Sequence, residues 1–163
     1  LDHQKCLAAA KARGWQITQI LNTHEHHDHT GGNAAVVAAT GARLIAHHRA
    51  GARIAGVDRG VKAGDVIKVG KTVELECMDT PGHTMCHICL RSHTDQPALF
   101  SGDTLFNAGA GNCHNGGNVI RSRTRNLPAE WHHGYRHRAT LTLGNLDSEL
   151  GARQRRQAQQ QEH

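Results

Sequence analysis

Histidines and carboxylates are concentrated in one short stretch of the chain, T-H-E-H-H-D-H at residues 23–29. His24 and His26 are two positions apart, so in an extended loop their side chains project to the same side. Asp28 and His29 follow within one tight turn. Zinc prefers imidazole and carboxylate ligands, and a catalytic zinc site keeps a position open for water. Because a single ion does not need both pairs, the pattern predicts two metal ions close together.

Two ions need further ligands, and two later segments offer them. His83 follows a Pro-Gly turn in T-P-G-H-T, where glycine lets the backbone approach a metal closely. Asp103 lies in F-S-G-D-T-L-F, among apolar residues that predict a buried position. A buried carboxylate needs a strong partner, and a bridging position between two cations provides one. Glu25 and His27 alternate with the first two histidines, so we expect them to face away from the ions, toward supporting side chains or solvent.

The elements around these residues predict an α/β layered domain. Their order is a helix, a strand, a second helix and a second strand, followed by a run of strands. The predicted helices are 2–13 and 31–41, and the predicted strands are 15–22, 42–47, a pair within 64–80, 85–93 and 97–102. Each polar cluster follows a predicted strand, and loops held by a rigid sheet are where catalytic groups are often placed. We therefore expect the three loops to converge on one edge.

Composition limits the remaining options. A chain of 163 residues has the length of one domain. Its five cysteines are odd in number and irregularly spaced, and without a secretory leader they predict reduced thiols and a cytoplasmic location. No apolar run approaches the roughly 18–20 residues that span a membrane, so no membrane partner is expected. The chain begins without Met, which predicts that a segment is missing in front.

The charge of the chain is unevenly distributed. The net charge is +5, and residues 119–163 carry eight Arg against four acidic residues, which accounts for +4 of it. A basic end can bind nucleic acid or anionic lipid. The polar, low-complexity ending favours a solvated tail instead, and no nucleic-acid partner is expected. We predict a metal-binding core over residues 1–118 and an atypical basic segment over residues 119–163.

Three separated segments resemble one protein family. T-H-E-H-H-D-H matches the T-H-x-H-x-D-H pattern of the metallo-β-lactamase superfamily. Within it, the likeness is greatest to glyoxalase II, the hydroxyacylglutathione hydrolases, in N-T-H-E-H-H-D-H-T-G-G-N, D-T-P-G-H-T-M-C-H-I-C-L and F-S-G-D-T-L-F-N-A-G-A-G-N. The resemblance implies an α/β fold, the αββα sandwich of that superfamily. It also implies an incomplete one, with the opening strands and the C-terminal helical domain absent.

The same resemblance implies roles for individual residues. The first metal would take His24, His26 and His83, the second would take Asp28 and His29, and Asp103 would bridge them. Asp28 and Asp103 are the carboxylates assigned to catalysis. The expected cofactor is a pair of zinc ions, although these ligands also accept iron or manganese. The implied reaction is attack of a metal-bound hydroxide on a thioester such as S-D-lactoylglutathione, a glutathione conjugate.

The chain departs from the family pattern after Asp103. The second metal needs one more histidine, and by position the candidates are His132, His133 and His137, of which His137 is the predicted additional ligand. The substrate-side loop reads G-A-G-N-C-H-N-G-G, which places Asn112 and His114 where substrate contacts are expected.

Other patterns lead to different interpretations. A mononuclear iron persulfide dioxygenase would use His24, His83 and Asp103, a two-histidine, one-carboxylate set. An inactive fragment of the superfamily is the third alternative.

Cys86 and Cys89 are predicted to be buried thiols rather than a redox pair, and the vicinal histidines at 47–48 are predicted to begin a polar helix.

Overall fold

The computed structural model describes residues 3–94, 97–106 and 110–119. Most predicted elements are confirmed, but the first strand is shorter than expected, and the metal-binding motif contains a short helix that was not predicted. The helices are α1 His3–Ala12, α2 His27–Thr30 and α3 Asn33–Thr40, and the strands are β1 Gln19–Leu21, β2 Arg43–His47, β3 Arg59–Val61, β4 Val66–Val69, β5 Val73–Asp79, β6 Ile88–Ser92 and β7 Leu99–Phe100. Two 3₁₀ turns cover Ala50–Ala52 and Gly102–Thr104.

The strands form two sheets. β1, β2 and β3 are parallel neighbours in one sheet, while β4 to β7 form an antiparallel sheet in chain order. The parallel connections need crossovers, and α3 supplies the one between β1 and β2. The antiparallel strands need only turns, such as the one at Gly70 between β4 and β5. None of the helices within the described ranges is long and apolar enough to cross a lipid bilayer.

The main core lies between the two sheets. Ile45 and Val61 from the parallel sheet pack with Ile67 of β4 and with inward-facing residues of β5 and β6. The opposite face of β2 carries Leu44 and Ala46 into a second cluster. The helices α1 and α3 contact each other, and α3 also contacts β2. Aliphatic side chains, together with Cys77 and Cys86, build these clusters, in keeping with an aromatic content of only 3%.

The predicted helix start at residues 47–48 is wrong. His47 ends β2 and is buried. Its Nδ1 accepts a hydrogen bond from the Arg49 backbone N–H at 3.2 Å, and its Nε2 lies 3.7 Å from Asp79 Oδ1. Burial lowers the pKa of His47, although the Asp79 carboxylate opposes this shift. The ring is therefore a neutral part of the packing between the two sheets.

Candidate metal centre

The metal-binding motif begins where β1 ends, and backbone hydrogen bonds attach it to both sheets. Asn22 N–H donates to Ile45 O at 2.9 Å, and the next carbonyl, Thr23 O, accepts from Ile88 N–H at 2.8 Å. The buried Asn22 side chain also donates to His29 O at 3.2 Å and accepts from the Asn33 amide at 2.6 Å. The loop is thus tied to the parallel sheet, the antiparallel sheet and α3. Asn22 and Asn33 are supporting residues that the sequence reasoning missed.

His24 is the most deeply buried of the predicted ligands, with 1% of its surface exposed. Its Nδ1 lies 3.1 Å from Thr23 Oγ1, whereas its buried Nε2 has no hydrogen-bond partner among the described residues. Burial, reinforced by the neighbouring imidazoles, lowers the pKa of His24 to about 2. A neutral ring with an unpaired buried nitrogen has the protonation state that a metal ion requires of a histidine ligand.

His26 and His83 direct their inner nitrogens toward each other beside His24. The distance between His83 Nε2 and His26 Nδ1 is 2.8 Å. Their outer nitrogens contact carbonyl oxygens, His26 Nε2 at 3.0 Å from Asn115 O and His83 Nδ1 at 2.5 Å from Asn112 O. A carbonyl oxygen only accepts, so both outer nitrogens carry hydrogen, and this leaves each inner nitrogen as the one that can offer a lone pair to a metal ion. The donor set of the three histidines therefore fits a metal ion, and its ligand atoms lie within 4.8 Å of one another.

A second group of ligand atoms surrounds Asp103. Asp103 Oδ1 lies 3.2 Å from His29 Nε2, while its Oδ2 lies 3.4 Å from His83 Nε2. One ligand atom each from His24, His29 and Asp103 also lies within 4.8 Å of the others. The Asp103 carboxylate thus reaches from the group of three histidines to His29, which is the arrangement that a bridging ligand requires.

Asp28 lies at the edge of the cluster rather than inside it. Its side chain is 78% exposed, and its Oδ2 is 3.7 Å from His29 Nε2. The helix α2 carries both residues, with His29 facing Asp103 and Asp28 at the exposed edge of the cluster, beside His29.

The segment after residue 109 crosses the site through its backbone. Gly111 N–H donates to Asp103 O at 2.8 Å, and Asn118 N–H donates to Gly82 O at 2.8 Å. A Cβ at Gly111 would lie 2.6 Å from His83 Nδ1, so this close approach requires glycine. Asn112 and His114 are both exposed on this segment, and Asn112 Oδ1 accepts from His114 N–H. The predicted additional ligand His137, and with it His132 and His133, lies outside the described residues.

Glu25 faces away from the ligand cluster, as predicted. Its buried carboxylate accepts hydrogen bonds from Arg53 and, at 2.8 Å, from Thr84 Oγ1. Burial acts to raise the pKa of the Glu25 carboxyl, but the hydrogen bonds from Thr84 and Arg53 outweigh it and lower the pKa. An ionised carboxylate therefore connects the metal-binding motif to Thr84, the residue that follows His83.

His87 is a further buried histidine beneath the cluster, and the sequence reasoning missed it. Its ring stacks on His24 with 4.9 Å between centroids. Burial, with a smaller contribution from the neighbouring imidazoles, lowers the pKa of His87 to about 3. The recurrence of His four residues after His83, in G-H-T-M-C-H, was the available signal.

Comparison with known proteins identifies the family of this chain. A profile of the metallo-beta-lactamase superfamily matches residues 1–146. The chain belongs to the metallo-beta-lactamase superfamily. Over 119 residues it is 87% identical to a hydroxyacylglutathione hydrolase of Polaromonas sp. strain JS666, and over 117 residues it is 64% identical to one of Nitrosococcus oceani. These matches cover 73% and 72% of the chain, but only 45% and 44% of the relatives, so the chain spans less than half their length.

Solved structures of the superfamily share the fold. ETHE1 from Myxococcus xanthus is 26% identical with a TM-score of 0.66, and the match covers 76% of this chain and 54% of that one. TTHA1623 in a di-iron-bound form is 25% identical with a TM-score of 0.62, covering 80% of this chain and 74% of that one. The predicted fold class of this superfamily member is confirmed. The division at residue 118 stays a prediction, because residues beyond 119 are outside the described ranges.

Proposed function

We propose that this chain carries the metal centre of a thioester hydrolase of the glyoxalase II type, acting on a glutathione conjugate such as S-D-lactoylglutathione. The observation that carries the proposal is the position of Asp103, whose two carboxylate oxygens lie 3.2 Å and 3.4 Å from His29 and His83. A carboxylate in that position suits a two-metal site. The relatives named hydroxyacylglutathione hydrolase support the choice of substrate class.

In this proposal the residues divide between two ions. His24, His26 and His83 would hold the first, Asp28 and His29 would hold the second, and Asp103 would serve both, with His137 as the proposed additional ligand of the second. Zinc is the proposed metal, because imidazole and carboxylate are its common ligands, and iron or manganese would fit the same set. A bound pair of such ions supplies Lewis acidity and lowers the pKa of a water molecule toward neutrality.

The protein residues contribute orientation and charge. The carbonyls of Asn112 and Asn115 fix the hydrogen on the outer nitrogens of His83 and His26, so the inner nitrogens stay available as ligands. The carboxylates of Asp28 and Asp103 offset the charge of the cations, and this is the role in catalysis that we propose for them.

Substrate contacts are proposed for the loop beside the site. The side chains of Asn112 and His114 are exposed there, where a polar substrate would meet them.

All five cysteines are free thiols, which supports a reducing, cytoplasmic setting.

Replacing Asp103 tests the proposal. We expect Asp103→Ala to lose the second zinc ion and more than about 100-fold in thioester hydrolysis, because outer-sphere partners alone change metal affinity or activity by about 10–100-fold. Elemental analysis of the purified chain and an assay with S-D-lactoylglutathione would measure both effects.

A matched control is Glu74→Ala. Glu74 is an exposed carboxylate on β5 that pairs with Lys68 at 3.4 Å, away from the site. We expect this variant to keep the metal content and the activity of the unchanged chain. Two ions and full hydrolysis in Asp103→Ala would contradict the proposal.

A mononuclear iron dioxygenase acting on a persulfide is the second candidate. The close approach of Asp103 Oδ2 to His83 Nε2, beside the unpaired Nε2 of His24, favours it, because these three residues form a two-histidine, one-carboxylate set. One iron per chain and oxygen uptake with glutathione persulfide would support this candidate over the hydrolase.

A further inference from the structure

His87 makes a complete set of buried hydrogen bonds directly beneath the ligand cluster. The residue is 1% exposed, and its ring lies nearly parallel to that of His24, at an angle of 20°. Its Nδ1 is 2.9 Å from Thr80 Oγ1 and 3.1 Å from Thr104 Oγ1, and its Nε2 is 3.2 Å from the backbone N of Asp103. Both ring nitrogens are therefore occupied within the protein, and neither is available to a metal ion.

The groups at the two ends of this network determine the direction of its hydrogen bonds. At one end the Asp103 backbone N–H can only donate, so Nε2 of His87 accepts and carries no hydrogen. At the other end Cys89 Sγ–H donates to Ser101 O at 3.4 Å. The Thr80 hydroxyl then donates to Cys89 Sγ, at 3.3 Å, and accepts from Nδ1–H of the histidine. Both ends require the same neutral tautomer, with the hydrogen on Nδ1.

The accepted hydrogen bond comes from the turn that carries the central carboxylate. Asp103 is the middle residue of the 3₁₀ turn Gly102–Thr104. Gly102 has φ +48°, and a Cβ on it would lie 2.9 Å from His87 Nε2 and 2.6 Å from Thr23 Oγ1. The turn therefore packs directly on the imidazole ring, and a displaced ring would move the Asp103 backbone.

We propose that His87 is a positioning residue, which holds the Asp103 backbone through its unprotonated Nε2 and so places the Asp103 carboxylate between His29 and His83. This inference rests on the proposed two-metal site. His87 acts through Asp103 and does not contact substrate or metal. Its loss should affect the second ion more than the first, because His24, His26 and His83 retain their own contacts.

Two amide variants of the full chain test the hydrogen bonds of His87 Nε2 and His87 Nδ1 separately. The oxygen of glutamine reaches the position of Nε2, so His87→Gln can still accept the Asp103 N–H. The shorter asparagine reaches only the position of Nδ1, so His87→Asn can keep a hydrogen bond to the threonines but not the one to Asp103.

We expect the affinity for the second zinc equivalent to fall by about 10–100-fold in His87→Asn, the range typical of outer-sphere partners. In His87→Gln it should stay close to that of the unchanged chain, and the first equivalent should be unaffected in both. Competition titration with a zinc chelator measures both equivalents, and far-UV circular dichroism checks that the variants are folded. Equal losses in the two variants, or no loss in His87→Asn, would overturn the proposal.

An NMR measurement on the unchanged chain tests the same inference without depending on the folding of a variant. A long-range ¹H–¹⁵N NMR spectrum should show His87 as a neutral ring protonated on Nδ1, and hydrogen on Nε2 would overturn the proposal. If the unchanged chain binds fewer than two zinc ions, the proposed function fails, and the NMR result alone then decides whether His87 accepts from Asp103.

Discussion

Two buried histidines lie at the ends of neighbouring parallel strands, but the partners of their ring nitrogens differ. His24 follows β1 and His47 ends β2, and both are almost completely buried. Burial lowers the pKa of both rings. His47 accepts a hydrogen bond from Arg49 N–H and faces the Asp79 carboxylate. His24 Nε2 has no partner within the described part of the chain.

This difference separates a structural histidine from a candidate ligand. Leaving a buried polar atom without a partner costs about 1–3 kcal/mol, so such an atom persists where something other than the protein satisfies it. Neither burial nor a lowered pKa distinguishes the two residues, since both share them. The unpartnered Nε2 of His24, next to the inner nitrogens of His26 and His83, is the feature that indicates a metal.

The largest effects are expected when each of these two histidines is replaced with phenylalanine. His24→Phe removes a ligand nitrogen, so we expect it to lose the first metal ion, while the metal-free chain keeps its stability because an unpaired buried nitrogen has been removed. His47→Phe should keep both ions but lower the free energy of unfolding by about 1–3 kcal/mol, because Arg49 N–H loses its acceptor.

Metal content by elemental analysis and urea unfolding of the metal-free chains measure these two effects. Each variant is the control for the other, because both remove a buried imidazole at a strand end. Equal metal loss in both variants would mean that the unpaired nitrogen of His24 does not mark a ligand.

A smaller effect is expected at Gly111, in the loop after residue 109 that packs against Asp103 and His83. Gly111→Ala places a Cβ 2.5 Å from Asp103 O and 2.6 Å from His83 Nδ1. Overpacking of this kind typically costs about 1–3 kcal/mol. We therefore expect the free energy of zinc binding to become less favourable by a comparable amount, as measured by a zinc competition titration. Gly51→Ala is the matched control, because a Cβ there meets nothing within 4 Å. Unchanged affinity in Gly111→Ala would show that the loop does not support His83.

The smallest expected effect is the pH dependence that His47 contributes to stability. Its pKa in the folded chain is below the ordinary value of 6.5. Below about pH 6.5 the unfolded chain therefore binds more protons at this residue, and the free energy of unfolding falls as the pH falls. Above that pH both states are neutral there, and the contribution is constant. Urea unfolding of metal-free chains should show a shallower decline in His47→Phe, whereas identical declines would contradict the assignment.

Local sequence patterns predicted much of this fold for clear physical reasons. The sequence predicted a pair of strands within residues 64–80, and β4 and β5 lie there, paired around the turn at Gly70. Local patterns also failed in particular places. A polar pair at 47–48 looked like a helix start, because nothing local shows that Asp79 and the backbone of Arg49 would satisfy a buried imidazole. The short helix α2 was missed because its residues are poor helix formers that the tertiary contacts of Asn22 hold in place.

The residue types available for metal binding, and their clustering at 23–29, at His83 and at Asp103, can be read from the amino-acid sequence alone. Their arrangement depends on contacts between distant segments. The fold places Asp28 at the exposed edge of the cluster, brings Asp103 between His29 and His83, and supplies His87 and the carbonyls of the loop after residue 109 as supports. Residue spacing reports only neighbours along the chain, whereas the hydrogen bonds that orient an imidazole come here from segments up to 89 residues away.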